Sequence, residues 1–125
     1  MQRIYLDNSA TTPVDKRVLE VMKPFFSEIY GNASSLHKFG QEAKRSMEES
    51  RGKVAEMINA KREEIVFTSG GTESDNLAIK GICFANKEKN HIITSKIEHH
   101  AVMHSCHWME KQGFEVTTCP SINMG

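Results

Sequence analysis

The sequence predicts an α/β fold, in which N-terminal helices precede a β-α-β-α-β unit with parallel strands. Apolar residues recur at helical spacing through the first half of the chain, whereas short β-branched runs alternate with helical segments from residue 64 onward. Because strand–helix–strand connections within one sheet are right-handed crossovers, this alternation favours parallel strands. We therefore divide the chain into residues 1–63, with the N-terminal segment and two helices, and residues 64–125, with the βαβαβ unit.

The first half of the chain is predicted to hold two helices. Pro13 can start the first, and apolar residues follow at near-helical spacing as far as Phe26. Residues 31–35 (GNASS) interrupt this pattern. A longer helical pattern then covers residues 36–58, with apolar residues on one broad face and polar residues on the other.

The second half of the chain is predicted to alternate strands and helices. Three short runs suit strands, namely residues 65–68 (IVFT), 91–95 (HIITS) and 114–118 (FEVTT). Helices are predicted between them over residues 72–84 and 98–112, with Gly113 as the C-cap of the second. Three parallel strands leave two open edges, and parallel sheets usually need cover on both faces. This architecture favours a part of a larger protein.

Composition excludes several classes of function. The 125 residues carry 16 basic and 16 acidic side chains, and this neutrality gives no electrostatic reason to expect nucleic acid or an acidic membrane surface as partner. No apolar run approaches the length of a membrane span, and the N-terminus lacks the long apolar stretch of a secretory signal. The three cysteines form no CxxC pair, so we expect reduced thiols in a cytoplasmic protein.

A glycine-containing turn between the first predicted strand and its helix is the sharpest local feature. Residues 68–76 read TSGGTESDN. Gly70 and Gly71 let the backbone approach a ligand closely, and the helix start offers free N–H groups and the positive end of its dipole. Thr72 and Ser74 add hydroxyl donors, and this pattern is typical of a phosphate site. It also fits a plain helix start, in which Thr72 and Asp75 form a capping box.

Histidines follow the second predicted strand. His99 and His100 lie at its C-terminal end, which faces the ligand crevice in open α/β sheets. An imidazole there is suited to stack on a planar ring or to move a proton, and a solvated histidine is the plainer alternative. His100, His104 and His107 share one helix face, but no HExxH motif or cysteine pair completes a zinc site, so we predict no metal.

Four motifs, taken together and in order, resemble the N-terminal part of the NifS/IscS-type cysteine desulfurases, in the class V branch of fold-type-I pyridoxal-phosphate enzymes. They are residues 5–12 (YLDNSATT), 31–40 (GNASSLHKFG), 67–76 (FTSGGTESDN) and 93–102 (ITSKIEHHAV). The last three are similar to the family's GNPSSxHxxG, FTSGATESDN and TxxEHxAV segments. Ala33 stands where the family usually has Pro, and Gly71 where it usually has Ala or Cys. The resemblance implies that residues 1–125 are the N-terminal part of the cofactor-binding large domain.

The resemblance implies a cofactor, pyridoxal 5′-phosphate, and assigns residues to it. Gly71 and Thr72 are implied to bind the cofactor phosphate. His99 is the implied catalytic residue, lying over the pyridine ring and assisting proton transfers. His37 and residues 7–12 are implied to lie near the rim of the site.

The implied activity converts L-cysteine to L-alanine and leaves the sulfur as a protein-bound persulfide. That persulfide serves iron–sulfur cluster assembly or other sulfur-transfer biosynthesis. The implied partners are a second copy of the chain in a homodimer and a sulfur-acceptor or iron–sulfur scaffold protein. Two alternatives remain: a non-catalytic remnant or interaction module of this fold, and a related class V enzyme such as a selenocysteine lyase.

The resemblance also implies parts that these residues lack. The family's Schiff-base lysine, the aspartate that pairs with the pyridine nitrogen, and the mobile-loop cysteine that receives sulfur all lie beyond its first 125 positions. Lys38, within the run SLHK, resembles the family's lysine motif but precedes the phosphate loop, so we interpret it as a coincidental match. Lys96 is a weaker candidate. The chain alone is therefore expected to be inactive.

Overall fold

The computed structural model describes residues 4–86 and 88–120. They divide into two compact units, with the boundary between Ile65 and Val66. A short 3₁₀ helix, Arg62–Glu64, closes the first unit. The helices and strands are, in chain order, α1 (Lys16–Met22), α2 (Pro24–Ser27), α3 (Lys38–Met57), α4 (Gly71–Ala85), β1 (His91–Ser95), α5 (His100–Lys111) and β2 (Glu115–Cys119).

The first predicted helix is in fact two short ones, α1 and α2. Asp15 caps α1, where its carboxylate accepts the Arg17 backbone N–H at 2.8 Å and pairs with the Arg17 guanidinium at 2.9 Å. The hydrogen bond to that guanidinium lowers the pKa of Asp15. Pro24 then stands at the first position of α2. Because proline has no N–H and clashes with the preceding turn, it separates the two helices, which contradicts the single helix that the sequence predicts.

Helix α3 runs for 20 residues and agrees with the predicted long helix. His37 caps its start, and its end is followed by Asn59, which has a φ of 54°. Asparagine tolerates this left-handed conformation better than most residues. Arg51, on α3, donates a hydrogen bond to the backbone carbonyl of Ile65. The buried residues of this unit are Gly40, Gly52, Ala55 and Ile65.

The second unit contains a parallel two-stranded sheet. β1 pairs with β2 in a register from His91↔Glu115 to Ser95↔Cys119, and α5 makes the crossover between them. Helix α4 packs against α5, which in turn packs against both strands. Gly113, with a φ of 93°, ends the α5 region in the left-handed conformation that glycine adopts without strain. The core is formed by one side of α5, at Ala101, Ser105, Cys106 and Met109.

The predicted strand over residues 65–68 does not form within the described residues. Ile65 has extended backbone angles, with φ −96° and ψ 122°, but residues 65–68 belong to no ladder. A strand requires a neighbour to pair with its backbone groups, and sequence propensity alone does not supply one. Among the described residues, the predicted three-stranded unit is therefore a two-stranded β-α-β unit, preceded by α4 and by residues 65–68, which form no helix or strand.

Both units expose many large apolar side chains. The exposed fraction reaches 87% at Leu6 and 92% at Leu36 in the first unit, and 78% at Ile97 in the second. Exposed apolar surface of this extent is typical of protein that is normally covered by more protein. Among residues 4–86 and 88–120, none of the helices combines the length and the apolar character that crossing a bilayer requires.

Candidate functional site

The glycine turn lies directly before α4, and no side chain caps the helix. Gly70 is the N-cap and makes no side-chain cap hydrogen bond, while Gly71 and Thr72 form the first helical positions. The capping box suggested by Thr72 and Asp75 is therefore not formed, because Thr72 already lies inside the first turn. The first N–H groups of an α-helix have no acceptor within the helix, so those of Gly71 and Thr72 are directed outward from its start.

Side chains on both sides of the turn hold its shape. Thr68 Oγ1 and Ser74 Oγ lie 2.7 Å apart, and each lies 3.2 Å from the backbone carbonyl oxygen of Gly70. Since a hydroxyl has one proton, one of the two donates to the other, and the second donates to the Gly70 carbonyl. Glu73 reaches back, so that its Oε2 accepts both the backbone N–H and the hydroxyl of Ser69 at 2.6 Å. These two bonds, the hydroxyl one first, lower the pKa of Glu73. The turn is thus shaped by its own residues before any ligand arrives.

Sequence analysis identified Ser74 as a hydroxyl donor but did not identify Glu73 or the contact between the Thr68 and Ser74 hydroxyls. A usable signal was present, since Glu73 stands three residues after the N-cap Gly70, the position at which a glutamate reaches back in a capping box. The misplaced N-cap at Thr72 hid that relationship. With the N-cap at Gly70, Glu73 and Ser74 lie in the first turn of α4, where their side chains can bond to the residues that precede the helix.

The open start of α4 fits a phosphate group. A Cβ built on Gly71 meets no atom within 4 Å, so the space beside its Cα is open within the described part of the chain. The Thr72 hydroxyl has no hydrogen-bond partner among the described residues and can donate to an anion. Free N–H groups at the positive end of a helix dipole are a recurrent phosphate site.

His99 lies after β1 and is the N-cap of α5. Its Nδ1 accepts the backbone N–H of Ala101 at 3.1 Å, and its ring centroid is 6.2 Å from that of His100. The predicted helix start at residue 98 is thus moved to His100. Ahead of the cap, Ser95 Oγ donates to a Glu98 carboxylate oxygen at 3.0 Å, which orders the connection from β1.

The structure brings the predicted site residues together only in part. Gly71 and Thr72 are neighbours at the start of α4, and His99 begins α5, the helix against which α4 packs in the second unit. His37 belongs to the first unit, where it caps α3 by accepting the Gly40 N–H on Nδ1 at 3.4 Å. Its observed role is therefore in the start of α3.

The remaining candidate side chains have ordinary contacts. Lys38 is the first residue of α3, and the backbone N–H of Lys96 donates to the Cys119 carbonyl at 3.1 Å.

Burial, and then the nearby Cys106, raise the pKa of the Cys83 thiol. His107 Nδ1 lies 3.3 Å from a Glu110 carboxylate oxygen. In residues 4–86 and 88–120, no group of three or more His, Cys, Asp or Glu side chains is arranged to hold a metal ion.

A family model described as aminotransferase class-V matches residues 4–125. The cysteine desulfurase IscS of Dictyoglomus turgidum is 58% identical over 120 residues, which cover 95% of this chain and 30% of that protein. The cysteine desulfurase IscS of Methanosarcina thermophila is 58% identical over 118 residues, covering 94% of this chain and 29% of that protein.

Solved structures give the same picture of the fold. A NifS-like protein matches with a TM-score of 0.87 at 44% sequence identity, over 94% of this chain and 32% of that one. A structure of SspA in complex with cysteine matches with a TM-score of 0.80 at 45% identity, over 88% of this chain and 32% of that one. The chain thus spans about 30% of the length of the curated relatives it matches and corresponds to their N-terminal part.

Proposed function

The chain belongs to the class-V aminotransferase family, and from this membership we propose that the full-length protein is a pyridoxal 5′-phosphate-dependent cysteine desulfurase. The proposed reaction takes L-cysteine, releases L-alanine and transfers the sulfur to a protein thiolate as a persulfide. The relatives named as cysteine desulfurases, at 58% identity, favour this activity over that of a selenocysteine lyase. The observation that carries the proposal in the chain itself is the uncapped glycine turn at the start of α4.

The proposed phosphate site consists of Gly71 and Thr72. Their N–H groups stand in the first turn of α4, where the helix dipole favours an anion. The Thr72 hydroxyl supplies a further donor, and bonds from neutral and backbone donors to a charged phosphate are among the stronger hydrogen bonds in proteins. Glu73 does not compete for this position, because its carboxylate is engaged by Ser69.

His99 is proposed to lie over the pyridine ring of the cofactor. It follows β1 at the sheet's C-terminal end, which is where ligands bind in open parallel α/β sheets. When bound, the cofactor supplies an electron sink for the bonds at the amino acid's Cα. The part of this chain in that chemistry is to hold the phosphate at Gly71 and Thr72 and to orient the imidazole of His99 above the ring.

The proposal extends to partners and location. We infer a homodimer and a sulfur-acceptor or iron–sulfur scaffold protein as partners of the full-length protein. The exposed apolar side chains of both units are compatible with a protein that buries further surface. The free thiols of Cys83, Cys106 and Cys119 are compatible with a reducing cytoplasm.

The activity is tested on the full-length protein with pyridoxal 5′-phosphate and L-cysteine. Sulfide in the presence of a reducing thiol and L-alanine should form in equal amounts, and neither should form without the cofactor. L-selenocysteine offered in competition separates the desulfurase from a selenocysteine lyase. A protein that binds cofactor but consumes neither amino acid would contradict the enzyme and support the non-catalytic alternative.

A further inference from the structure

The two ring nitrogens of His99 have different surroundings. Nδ1 accepts the backbone N–H of Ala101 at 3.1 Å. Nε2 has no hydrogen-bond partner within residues 4–86 and 88–120. A backbone N–H can only donate, so Nδ1 must present its lone pair and cannot carry a proton while α5 is capped in this way. In the neutral ring the proton then belongs to Nε2.

We propose that the N-cap of α5 fixes His99 as the Nε2–H tautomer, so that the neutral imidazole faces a ligand as a hydrogen-bond donor and not as a base. Each ring nitrogen thus has its own partner. Nδ1 accepts the Ala101 N–H, and Nε2–H donates to the ligand. The ligand side of this inference rests on the proposed function, in which His99 lies over the cofactor. The tautomer itself depends only on the contact with Ala101.

Two other histidines of the chain serve as internal references. His37 also caps a helix through Nδ1, which accepts the Gly40 N–H at 3.4 Å, so it should show the same tautomer. His107 is the opposite case, because its Nδ1 lies 3.3 Å from a Glu110 carboxylate oxygen, which only accepts. His107 should therefore carry its proton on Nδ1. A single labelled sample therefore reports the tautomers of His37 and His107 together with that of His99.

The direct test is two-bond ¹H–¹⁵N correlation spectroscopy of the full-length protein, labelled at histidine. It is recorded without cofactor at a pH of about 8, where an ordinary imidazole is neutral. His99, assigned by its loss in His99→Asn, should show a bare Nδ1 and a protonated Nε2. A protonated Nδ1, or signals averaged between the two tautomers, would overturn the inference whatever the cofactor does.

A pair of variants separates the cap from the ligand-facing donor. In His99→Asn the amide oxygen can replace Nδ1 as the N-cap acceptor, whereas His99→Ala offers no acceptor. We expect His99→Ala to lower the Tm of the full-length protein by about 1–2 °C and His99→Asn to recover most of that loss. Equal Tm losses in the two variants would contradict the capping role.

The same variants test the ligand side. Both remove the ring that carries Nε2–H, so both should change the visible absorbance of bound pyridoxal 5′-phosphate, although only His99→Ala loses the cap. If His99→Asn keeps an unaltered cofactor spectrum while the tautomer is as inferred, the proposed position of His99 over the cofactor is wrong. The capping inference stands in that case, so the two failures are distinguishable.

Discussion

Thr68 Oγ1 and Ser74 Oγ lie 2.7 Å apart, which joins the residue that precedes the glycine turn to the first turn of α4. Both hydroxyl oxygens also lie 3.2 Å from the Gly70 carbonyl oxygen, which accepts the proton that the contact between them leaves available. The turn is therefore closed by side chains on its two ends and not by the glycines themselves. A pre-shaped turn loses less conformational freedom when a ligand binds, and this favours affinity.

Removing the contact between the Thr68 and Ser74 hydroxyls should weaken cofactor binding. Ser74→Ala and Thr68→Val are each expected to reduce the affinity of the full-length protein for pyridoxal 5′-phosphate by about 0.5–1.5 kcal/mol, the usual scale of one hydrogen bond. Because the two hydroxyls contact each other, the double variant should lose less than the sum of the single losses. Absorbance titration with pyridoxal 5′-phosphate gives the cofactor affinity of the unmodified protein, the two single variants and the double variant. Strictly additive losses would contradict a coupling between the two hydroxyls.

Thr72 should matter through direct contact with the phosphate. Thr72→Val keeps the size of the side chain but removes its hydroxyl, so we expect cofactor affinity to fall by about 1–3 kcal/mol, the scale of a charge-assisted hydrogen bond. Ser50→Ala, which removes an exposed hydroxyl on α3, is a matched control and should leave that affinity unchanged. An affinity for Thr72→Val equal to that of the control would contradict the proposed phosphate site.

The Glu73–Ser69 bonds should stabilise the turn in a pH-dependent way. The folded protein holds the pKa of Glu73 below its usual value, so the stabilisation is present above the unfolded-state pKa and is lost as the pH falls through the folded-state pKa. Glu73→Gln should therefore lower Tm at a pH of about 7, and the difference from the unmodified protein should shrink towards a pH of about 3.

A second glutamate controls for the general effect of removing a charge. Glu49→Gln changes an exposed side chain of α3 and should give no comparable pH-dependent difference. A Glu73→Gln difference that stayed constant across this pH range would exclude the carboxylate as its cause. Both Tm series are measured on the same full-length protein.

Gly40 and Gly81 should respond oppositely to alanine. A Cβ at Gly40 meets the backbone oxygens of Ser35 and Asn32 at 2.5 and 2.6 Å, whereas one at Gly81 meets no atom within 4 Å. Gly40→Ala should reduce the free energy of unfolding by about 1–3 kcal/mol through overpacking. Gly81→Ala should raise it by about 0.5–1 kcal/mol, since glycine is a poor residue within a helix. Urea denaturation of both variants measures these changes in the free energy of unfolding, and changes of the same sign would contradict the prediction.

The 125-residue chain by itself is expected to have no desulfurase activity. Lys38 starts α3 and Lys96 follows β1, and neither matches the position of a cofactor-bound lysine in the family. Incubation with pyridoxal 5′-phosphate and L-cysteine should give sulfide and alanine no higher than a protein-free control. Borohydride reduction followed by peptide mass mapping checks for cofactor attachment. An adduct on Lys38 or Lys96, together with sulfide above the control, would contradict the prediction.

Sequence patterns were most informative where local chemistry decides the structure. The parallel pairing of β1 with β2, the long helix α3 and the glycine after α5 all follow from periodicity and from the conformational freedom of Gly113. The family resemblance was confirmed by the comparisons over residues 4–125. Helix α3 and Gly113 depend on residues that are close in sequence or repeat regularly, and the parallel pairing follows from the strand–helix–strand order of the chain.

Sequence patterns were less informative where a distant partner determines whether a strand forms, or where a single residue determines where a helix begins or ends. The strand predicted at residues 65–68 required a neighbouring strand, which β-propensity does not reveal. The break between α1 and α2 followed from Pro24, whose effect a count of apolar spacings overlooks. The capping roles of His37 and His99 depend on which residue stops being helical, and helix ends are the least predictable part of an element.

The register between β1 and β2 has a consequence for synthesis of the chain. Every paired position, from His91↔Glu115 to Ser95↔Cys119, is separated by 24 residues of sequence. The first strand therefore leaves the ribosome well before its partner. Among residues 66–86 and 88–120, β2 is the strand that pairs with it, and β2 is made only after α5. During that interval the nascent chain carries an unpaired β-branched strand, the kind of segment that associates with other chains. Early formation of α5, which needs only local contacts, would speed the pairing of the two strands once β2 has been synthesised.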